Sequence, residues 1–148
     1  MKIQLFFSTE PIIDTESEVE LHKGIRLLTV LQFRTYETWS DPQIAIVDTG
    51  APISLVPPKI WRECSVDILG ETELRGVIPK KECAMPVKVA KICLRLLDPE
   101  YVTEEIETKA YLAQTDNIPL VIGFEKILSE FNVFFSYCTL DAFVEEVE

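Results

Sequence analysis

One short stretch of the chain, IAIVDTGAPISLVP at 44–57, places a carboxylate directly after an apolar run. A carboxylate at the end of a buried strand loses solvation, so Asp48 must either be neutral or accept hydrogen bonds from nearby donors. Thr49 offers a hydroxyl, and Gly50 leaves its amide approachable. The pattern therefore predicts a turn that aims one carboxylate outward and holds it still.

The chemistry open to this carboxylate depends on whether it acts alone. Hydrolysis of an amide needs a base for the water and an acid for the carbonyl or the leaving nitrogen, so one carboxylate is a weak catalyst. Two carboxylates that share a proton supply both. The chain has no second Asp-Thr/Ser-Gly, since Asp14-Thr15 continues with Glu16. If Asp48 belongs to a pair, we expect its partner to be Asp48 of another copy.

Other catalytic sets are poorly represented in the composition. The chain has one histidine, so a Ser-His or Cys-His nucleophile would have to use His22, which lies in a polar stretch. The cysteines are Cys64, Cys83, Cys93 and Cys138. They show no CxxC spacing, which favours reduced structural thiols over a zinc site. We expect neither a metal nor an organic cofactor.

The charge and size of the chain limit its partners and its organisation. Its 148 residues carry 14 Lys and Arg against 25 Asp and Glu, a formal charge of -11. This balance argues against binding of nucleic acid or an anionic membrane surface. We find no linker or repeat, no apolar run of transmembrane length and no signal-peptide pattern at the N-terminus. We therefore expect a single domain over 1–148 and a cytoplasmic location.

The apolar patterning favours strands over helices. Short runs rich in β-branched and aromatic residues alternate with turn residues along the chain, which predicts a mainly β fold. We interpret it as a small closed antiparallel barrel with one or two short helices, at 57–64 and 124–131. The alternation within 85–97 changes phase, which predicts a bulge or bend near Ala90 and Lys91.

The DTGA signature at 48–51 resembles the active-site motif of the retroviral-type (retropepsin-like) aspartic proteases, in the form of their cellular and prokaryotic relatives. The matching residues are Asp48, Thr49, Gly50 and Ala51. The second half of the family pattern is an apolar pair followed by glycine and a short helix. The stretch PLVIGFEKIL at 119–128 fits it, with Val121, Ile122 and Gly123 as the psi-loop.

The resemblance implies an acid-protease barrel acting as a homodimeric endopeptidase on peptide or protein substrates. Each subunit would contribute one Asp48, Thr49 would brace the two loops across the two-fold axis, and Gly50 would let them approach. A flap over the substrate is expected at about 70–90, with Gly76 as its flexible position. The apolar segments KIQLFF and NVFFSYC are both candidates for the dimer interface.

A different reading of the same residues stays open. The segment between Gly50 and Gly123 contains only Gly70 and Gly76, so the flap is poor in glycine. This feature favours a non-catalytic dimerisation or peptide-binding module on the same fold.

Overall fold

A computed structural model describes residues 1–13, 20–75 and 84–147, and its regular structure is almost entirely β. The strands are β1 Lys2–Gln4, β2 Phe6–Ile13, β3 Glu20–Phe33, β4 Gln43–Val47, β5 Ser54–Val56, β6 Val66–Leu74, β7 Met85–Leu97, β8 Ile106–Ala113, β9 Val121–Ile122, β10 Phe131–Ser136 and β11 Asp141–Glu146. This confirms the prediction of a mainly β protein.

The described strands form two sheets. The larger sheet has the order β2-β3-β4-β9-β5-β8-β7-β6, and the long strands β3 and β7 also pair with each other. The smaller sheet has the order β1-β11-β10. Both sheets contribute to a single large core cluster, which includes Ile3 of β1, Val144 of β11 and Leu31 of β3.

The prediction of one closed antiparallel barrel is wrong in two respects. The pairs β4–β9 and β5–β8 are parallel, so the larger sheet is mixed. Strands β2 and β6 remain at the ends of that sheet, and three strands form a separate sheet, so the strands are not closed into one barrel. Alternation of apolar residues fixes which face of a strand is buried, but it does not fix the direction of the neighbouring strand.

One of the two expected helices is an α-helix. Helix α1, Pro58–Trp61, begins with a proline, whose missing N–H and fixed φ suit a first turn. The apolar spacing at 124–131 produces only a 3-10 turn at Leu128–Glu130. Lys126 has a φ of 58°, and this left-handed backbone cannot continue a right-handed helix.

Strand β7 changes its buried face along its length. Met85 and Val87 pack in a second, smaller core cluster, whereas Ala90 and Ile92 pack in the main one. The sequence predicts a bulge or a bend near Ala90 and Lys91. The bulge is wrong for this strand, because β7 pairs with β8 in continuous register, and the bend stays a prediction. The irregularity lies in the other neighbour, β6, between Ile68 and Gly70. Two clusters, and not a bulge in β7, account for the change of phase.

Candidate active site

Asp48 lies directly after β4, in the loop that leads to β5. Its N–H donates to the carbonyl of Ile122 at 3.0 Å, so the backbone is still tied to β9 at this point. Its Oδ1 accepts a hydrogen bond from the N–H of Gly50 at 2.8 Å, and its carbonyl accepts one from Ala51 at 3.2 Å. The half-buried carboxylate is therefore held by its own turn, as an Asx-type turn predicts.

Gly50 has a steric reason to be glycine. A Cβ added at this position would lie 3.2 Å from Asp48 Oδ1, closer than ordinary van der Waals contact. Any side chain would therefore press against the carboxylate that the Gly50 amide holds. Thr49 and Gly50 are both exposed, so the tip of the loop is open to solvent or to another molecule.

Strand β9 lies between β4 and β5, the two strands that the Asp48 loop connects. It pairs parallel to β4, with Ile46 opposite Val121, and antiparallel to β5. Gly123 follows at once, and its N–H donates to the buried Ser54 Oγ at 3.0 Å. The second predicted motif thus lies against the first, although about 70 residues separate them in the sequence.

Gly123 packs directly against the loop that carries Asp48. A Cβ at this position would lie 2.4 Å from the carbonyl oxygen of Ala51, a distance that real Cβ atoms do not adopt. That same carbonyl accepts the N–H of Phe124 at 2.9 Å, and the carbonyl of Pro52 accepts the N–H of Glu125 at 3.0 Å. The loop therefore has a close and rigid backing of backbone atoms.

A buried threonine extends this support to β8. Thr108 is 2% exposed, and its hydroxyl donates to the carbonyl of Glu125 at 2.7 Å. It fixes the turn after Gly123, whose amides in turn hold the carbonyls of Ala51 and Pro52. The sequence does not mark Thr108, because a threonine in an alternating strand carries no signal of such a contact.

An apolar row crosses the outer side of the sheet next to Asp48. In register, Phe6 of β2 pairs with Leu28, Leu28 with Ile46, and Ile46 with Val121. None of these four side chains is fully buried, and Ile44 on the same side of β4 is 60% exposed. Because side chains alternate along a strand, Asp48 continues the series of Ile44 and Ile46. The carboxylate therefore lies at the end of an accessible apolar surface.

The β6–β7 hairpin arms pack next to the site. Met85 and Val87 of β7 share the smaller core cluster with Leu55 of β5, and Leu74 of β6 and Val121 of β9 pack against it. The range 70–90, for which the resemblance implies a flap, includes the end of β6 and the beginning of β7. Its flexible-position candidate, Gly76, lies outside the described residues.

The free thiols occupy positions away from the loop in sequence, and two have raised pKa values. Burial, with a smaller contribution from Glu63, raises the pKa of Cys64 to about 12, and its Sγ lies 3.2 Å from the carbonyl of Ile60. Burial also raises the pKa of Cys93, with Glu105 and Glu107 adding to the effect. Such thiols are poor nucleophiles at neutral pH. Cys138 is exposed, and Cys83 lies outside the described residues.

The predicted site residues thus fall into two groups. Those of the signature and the psi-loop come together around one loop, which positions Asp48, Thr49, Gly50, Ala51, Val121, Ile122 and Gly123. Gly76 is the member that the structure does not describe. Ser54 joins β5 to the psi-loop candidate, because its Oγ accepts the hydrogen bond from the N–H of Gly123.

Comparison with known proteins adds no family to this description. No protein-family model matches the chain, and no curated protein matches its sequence. Among the described residues, no helix is long and apolar enough to cross a membrane. Within the same residues, no group of three His, Cys, Asp or Glu side chains is arranged to hold a metal ion.

Proposed function

We propose that this protein is an aspartic endopeptidase of the retropepsin-like type, and that two copies of the chain form one active site. The observation that carries the proposal is the Asp48 carboxylate held at 2.8 Å by the Gly50 amide, on a loop backed by Gly123 and β9. A carboxylate kept in one place, half-buried and next to an apolar surface, suits proton transfer to and from a bound amide.

The proposed mechanism needs two carboxylates, and the chain offers one. Two carboxyls within hydrogen-bond distance cannot both ionise at low cost, so the pair retains one proton, as the catalytic pair of aspartic proteases does. The ionised Asp48 takes a proton from water, while the protonated Asp48 of the second copy polarises the scissile carbonyl. A tetrahedral intermediate forms and collapses without a covalent enzyme adduct.

The proposed substrate is an extended peptide with apolar side chains near the scissile bond. The apolar row through Leu28, Ile46 and Val121 provides a surface for those side chains beside the carboxylate. Val121 also packs against the smaller core cluster, which contains Met85 and Val87 of β7 and has Leu74 of β6 packed against it. Burial of the peptide between the apolar row and the β6–β7 hairpin would exclude water from the reacting bond.

The proposed dimer has two candidate interface strands, at opposite edges of the three-stranded sheet. The N–H of Gln4 in β1 donates to Asp98 Oδ2 at 2.8 Å, so this strand is tied to another part of its own chain. Strand β10 leaves one edge unpaired within the described residues and exposes Phe134 and Phe135, which are 45% and 59% exposed. These observations favour the NVFFSYC segment over KIQLFF as the contact.

The decisive experiment mixes wild-type chains with Asp48→Asn chains. Asparagine keeps the oxygen that accepts the Gly50 amide, so fold and pairing should persist, but it cannot share the proton. If subunits exchange at random, active sites scale as the square of the wild-type fraction, and an equal mixture should retain roughly a quarter of the peptidase activity. Size measurements must show that the mutant pairs.

The outcomes of this mixing experiment separate three cases. About half of the activity from a fully exchanged dimer would mean that each chain has its own site. Activity of the pure mutant equal to wild type would remove Asp48 from the reaction. Cleavage of a peptide library that pepstatin does not inhibit would contradict the aspartic mechanism.

The second candidate is a peptide-binding module without catalysis, and the exposed edge of β6 favours it. This strand pairs only with β7 among the described strands, and most of its side chains are exposed. Its free N–H and C=O groups are able to add a peptide as a further strand. Tight binding of library peptides that stay uncleaved by the wild-type dimer would establish this function instead.

A further inference from the structure

The outer side of the β3–β7 pair carries an arginine fixed in one orientation. The Cζ of Arg95 lies 4.2 Å from the centroid of the Trp39 ring, a cation–π contact. Its Nε donates to Gln32 Oε1 at 3.0 Å. The amide of Gln32 is itself oriented, because its Nε2 donates to the carbonyl of Ser40 at 3.0 Å. The guanidinium is therefore held by one indole ring and one amide.

The turn that carries Trp39 is well braced. The N–H of Thr35 donates to the carbonyl of Thr38 at 2.8 Å, and the N–H of Thr38 donates back to Thr35 Oγ1 at 3.0 Å. Arg34 and Trp39 form an antiparallel bridge across this turn. The indole is thus presented by a short closed loop and is a stable platform for the arginine.

Arg34 brings a second cation to the same ring. Its Cζ lies 5.3 Å from the centroid of Trp39. Within the described residues neither Arg34 nor Arg95 has a carboxylate oxygen within 4 Å, although the chain carries 25 Asp and Glu. The Nη atoms of Arg95 also make no hydrogen bond to the described part of the chain. Two guanidinium groups with free donors are unusual in so acidic a protein.

We propose that Arg95 and Arg34, held on Trp39, form a binding site for an acidic side chain of a peptide partner. The free Nη edge of a planar guanidinium matches the two oxygens of a carboxylate or phosphate group in a bidentate pair. The Gln32 bond and the Trp39 contact fix this edge before binding, which reduces the entropy lost on association. The site is separate in sequence from the Asp48 loop and does not depend on catalysis.

Two carboxylates set a limit on the affinity of this site. Glu107 pairs with Cys93, two residues before Arg95 on β7, and Glu105 lies just before the start of β8. Both raise the pKa of the Cys93 thiol, so their charges act on this face of the sheet. A bound oxyanion would be repelled by them. Replacement of Glu105 by glutamine should therefore tighten binding, while the arginine variants weaken it.

The test measures binding of three fluorescently labelled peptides that differ only in their acidic positions. One carries glutamates, one carries phosphoserines, and one carries glutamines. Anisotropy gives the affinity of the full-length protein for each peptide. We expect the glutamine peptide not to bind, and whichever of the glutamate and phosphoserine peptides binds more tightly identifies the chemistry of the partner.

Variants locate the site. Arg95→Lys keeps the charge but removes the planar guanidinium and its paired N–H donors. It should weaken binding by roughly tenfold or more. Arg34→Lys, at an exposed position, tests the same site if Arg95→Lys fails to fold. Arg62→Lys is the matched control, since Arg62 lies 5.8 Å from the ring of the other tryptophan, Trp61, and should bind as wild type.

The tryptophans supply a second readout. The chain has two, so a Trp61→Phe variant leaves Trp39 as the only indole, and its fluorescence should change as the acidic peptide binds. The proposal is overturned if Arg62→Lys and Arg95→Lys lose affinity equally, because that result indicates attraction to any surface cation. It is also overturned if the glutamine peptide binds equally well, or if no acidic peptide binds.

Discussion

Two aspartates at the ends of strands in this protein show how differently a turn can use the same side chain. Asp98 follows β7 and accepts hydrogen bonds from the N–H groups of Gln4, Glu100 and Tyr101. Asp48 follows β4 and, among the described residues, accepts one N–H, that of Gly50. Asp98 is saturated by backbone donors, whereas Asp48 keeps an oxygen available.

The electrostatics of Asp98 follow from its donors. Burial alone would raise the pKa of its carboxyl, but the hydrogen bonds from Gln4, Tyr101 and Glu100 outweigh burial and lower the pKa. A carboxylate stabilised in this way is a structural cap and resists protonation. The contrast suggests that a turn aspartate suits acid–base chemistry when its turn fixes one oxygen and leaves the other for a ligand.

Substitution of each aspartate by asparagine should give the largest difference between the two turns. Under the proposed function, Asp48→Asn should lower peptidase activity by roughly 10²–10⁴-fold, because it removes the group that exchanges the proton. Its unfolding free energy should change by less than about 0.5 kcal/mol, since the amide oxygen still accepts the Gly50 N–H. Asp98→Asn should leave the activity unchanged. Equal losses of peptidase activity in the two variants would contradict the different roles given to Asp48 and Asp98.

The backing of the Asp48 loop is tested by two glycines. Gly123→Ala would place a Cβ 2.4 Å from the carbonyl oxygen of Ala51, so the loop must shift, at a cost of about 1–3 kcal/mol or more. Gly70→Ala is the control, because a Cβ there meets no atom within 4 Å. Urea denaturation should show destabilisation of the first variant alone. Equal stability of the two would mean that the loop does not rest on Gly123.

Two buried hydroxyls provide a finer test of the same support. Ser54→Ala leaves the buried N–H of Gly123 without its acceptor and should cost about 1–3 kcal/mol. The Thr29 hydroxyl has no hydrogen-bond partner in the described part of the chain, so Thr29→Val should be neutral or stabilising. Thermal unfolding of both variants measures the difference. A stabilising Ser54→Ala would show that the serine bond does not hold Gly123.

The smallest expected effect is the loss, in acid, of the contribution that Asp98 makes to the free energy of unfolding. Because the folded-state pKa of this carboxyl is lowered, its stabilisation is fully present above the unfolded pKa of about 3.9 and is lost as the pH falls through the folded value. Wild type should exceed Asp98→Asn in unfolding free energy by no more than about 1 kcal/mol at pH 7, since the carboxyl is partly exposed. The gap should narrow below about pH 4. A gap that is constant from pH 7 to pH 2.5 would contradict this account.

Local patterns in the sequence were sufficient to predict the secondary structure of single segments. The apolar run before Asp48 predicts a strand that ends in a turn, and Pro58 predicts the start of a short helix, because both depend on neighbouring residues. The same reasoning failed at 124–131, where the backbone of Lys126 interrupts the helical spacing. It also predicted a bulge or a bend near Ala90 and Lys91, whereas the register shift of the β6–β7 pair lies between Ile68 and Gly70.

The sequence alone therefore determined a mainly β chain, a strongly acidic surface and an aspartate in a glycine turn. Only the tertiary structure decided that β9 lies between β4 and β5, that Gly123 meets Ala51, and that Trp39 carries Arg95. The physical reason is the range of the interactions. Alternation and turn propensity act between residues a few positions apart, whereas strand neighbours and buried contacts are selected by the packing of the whole core.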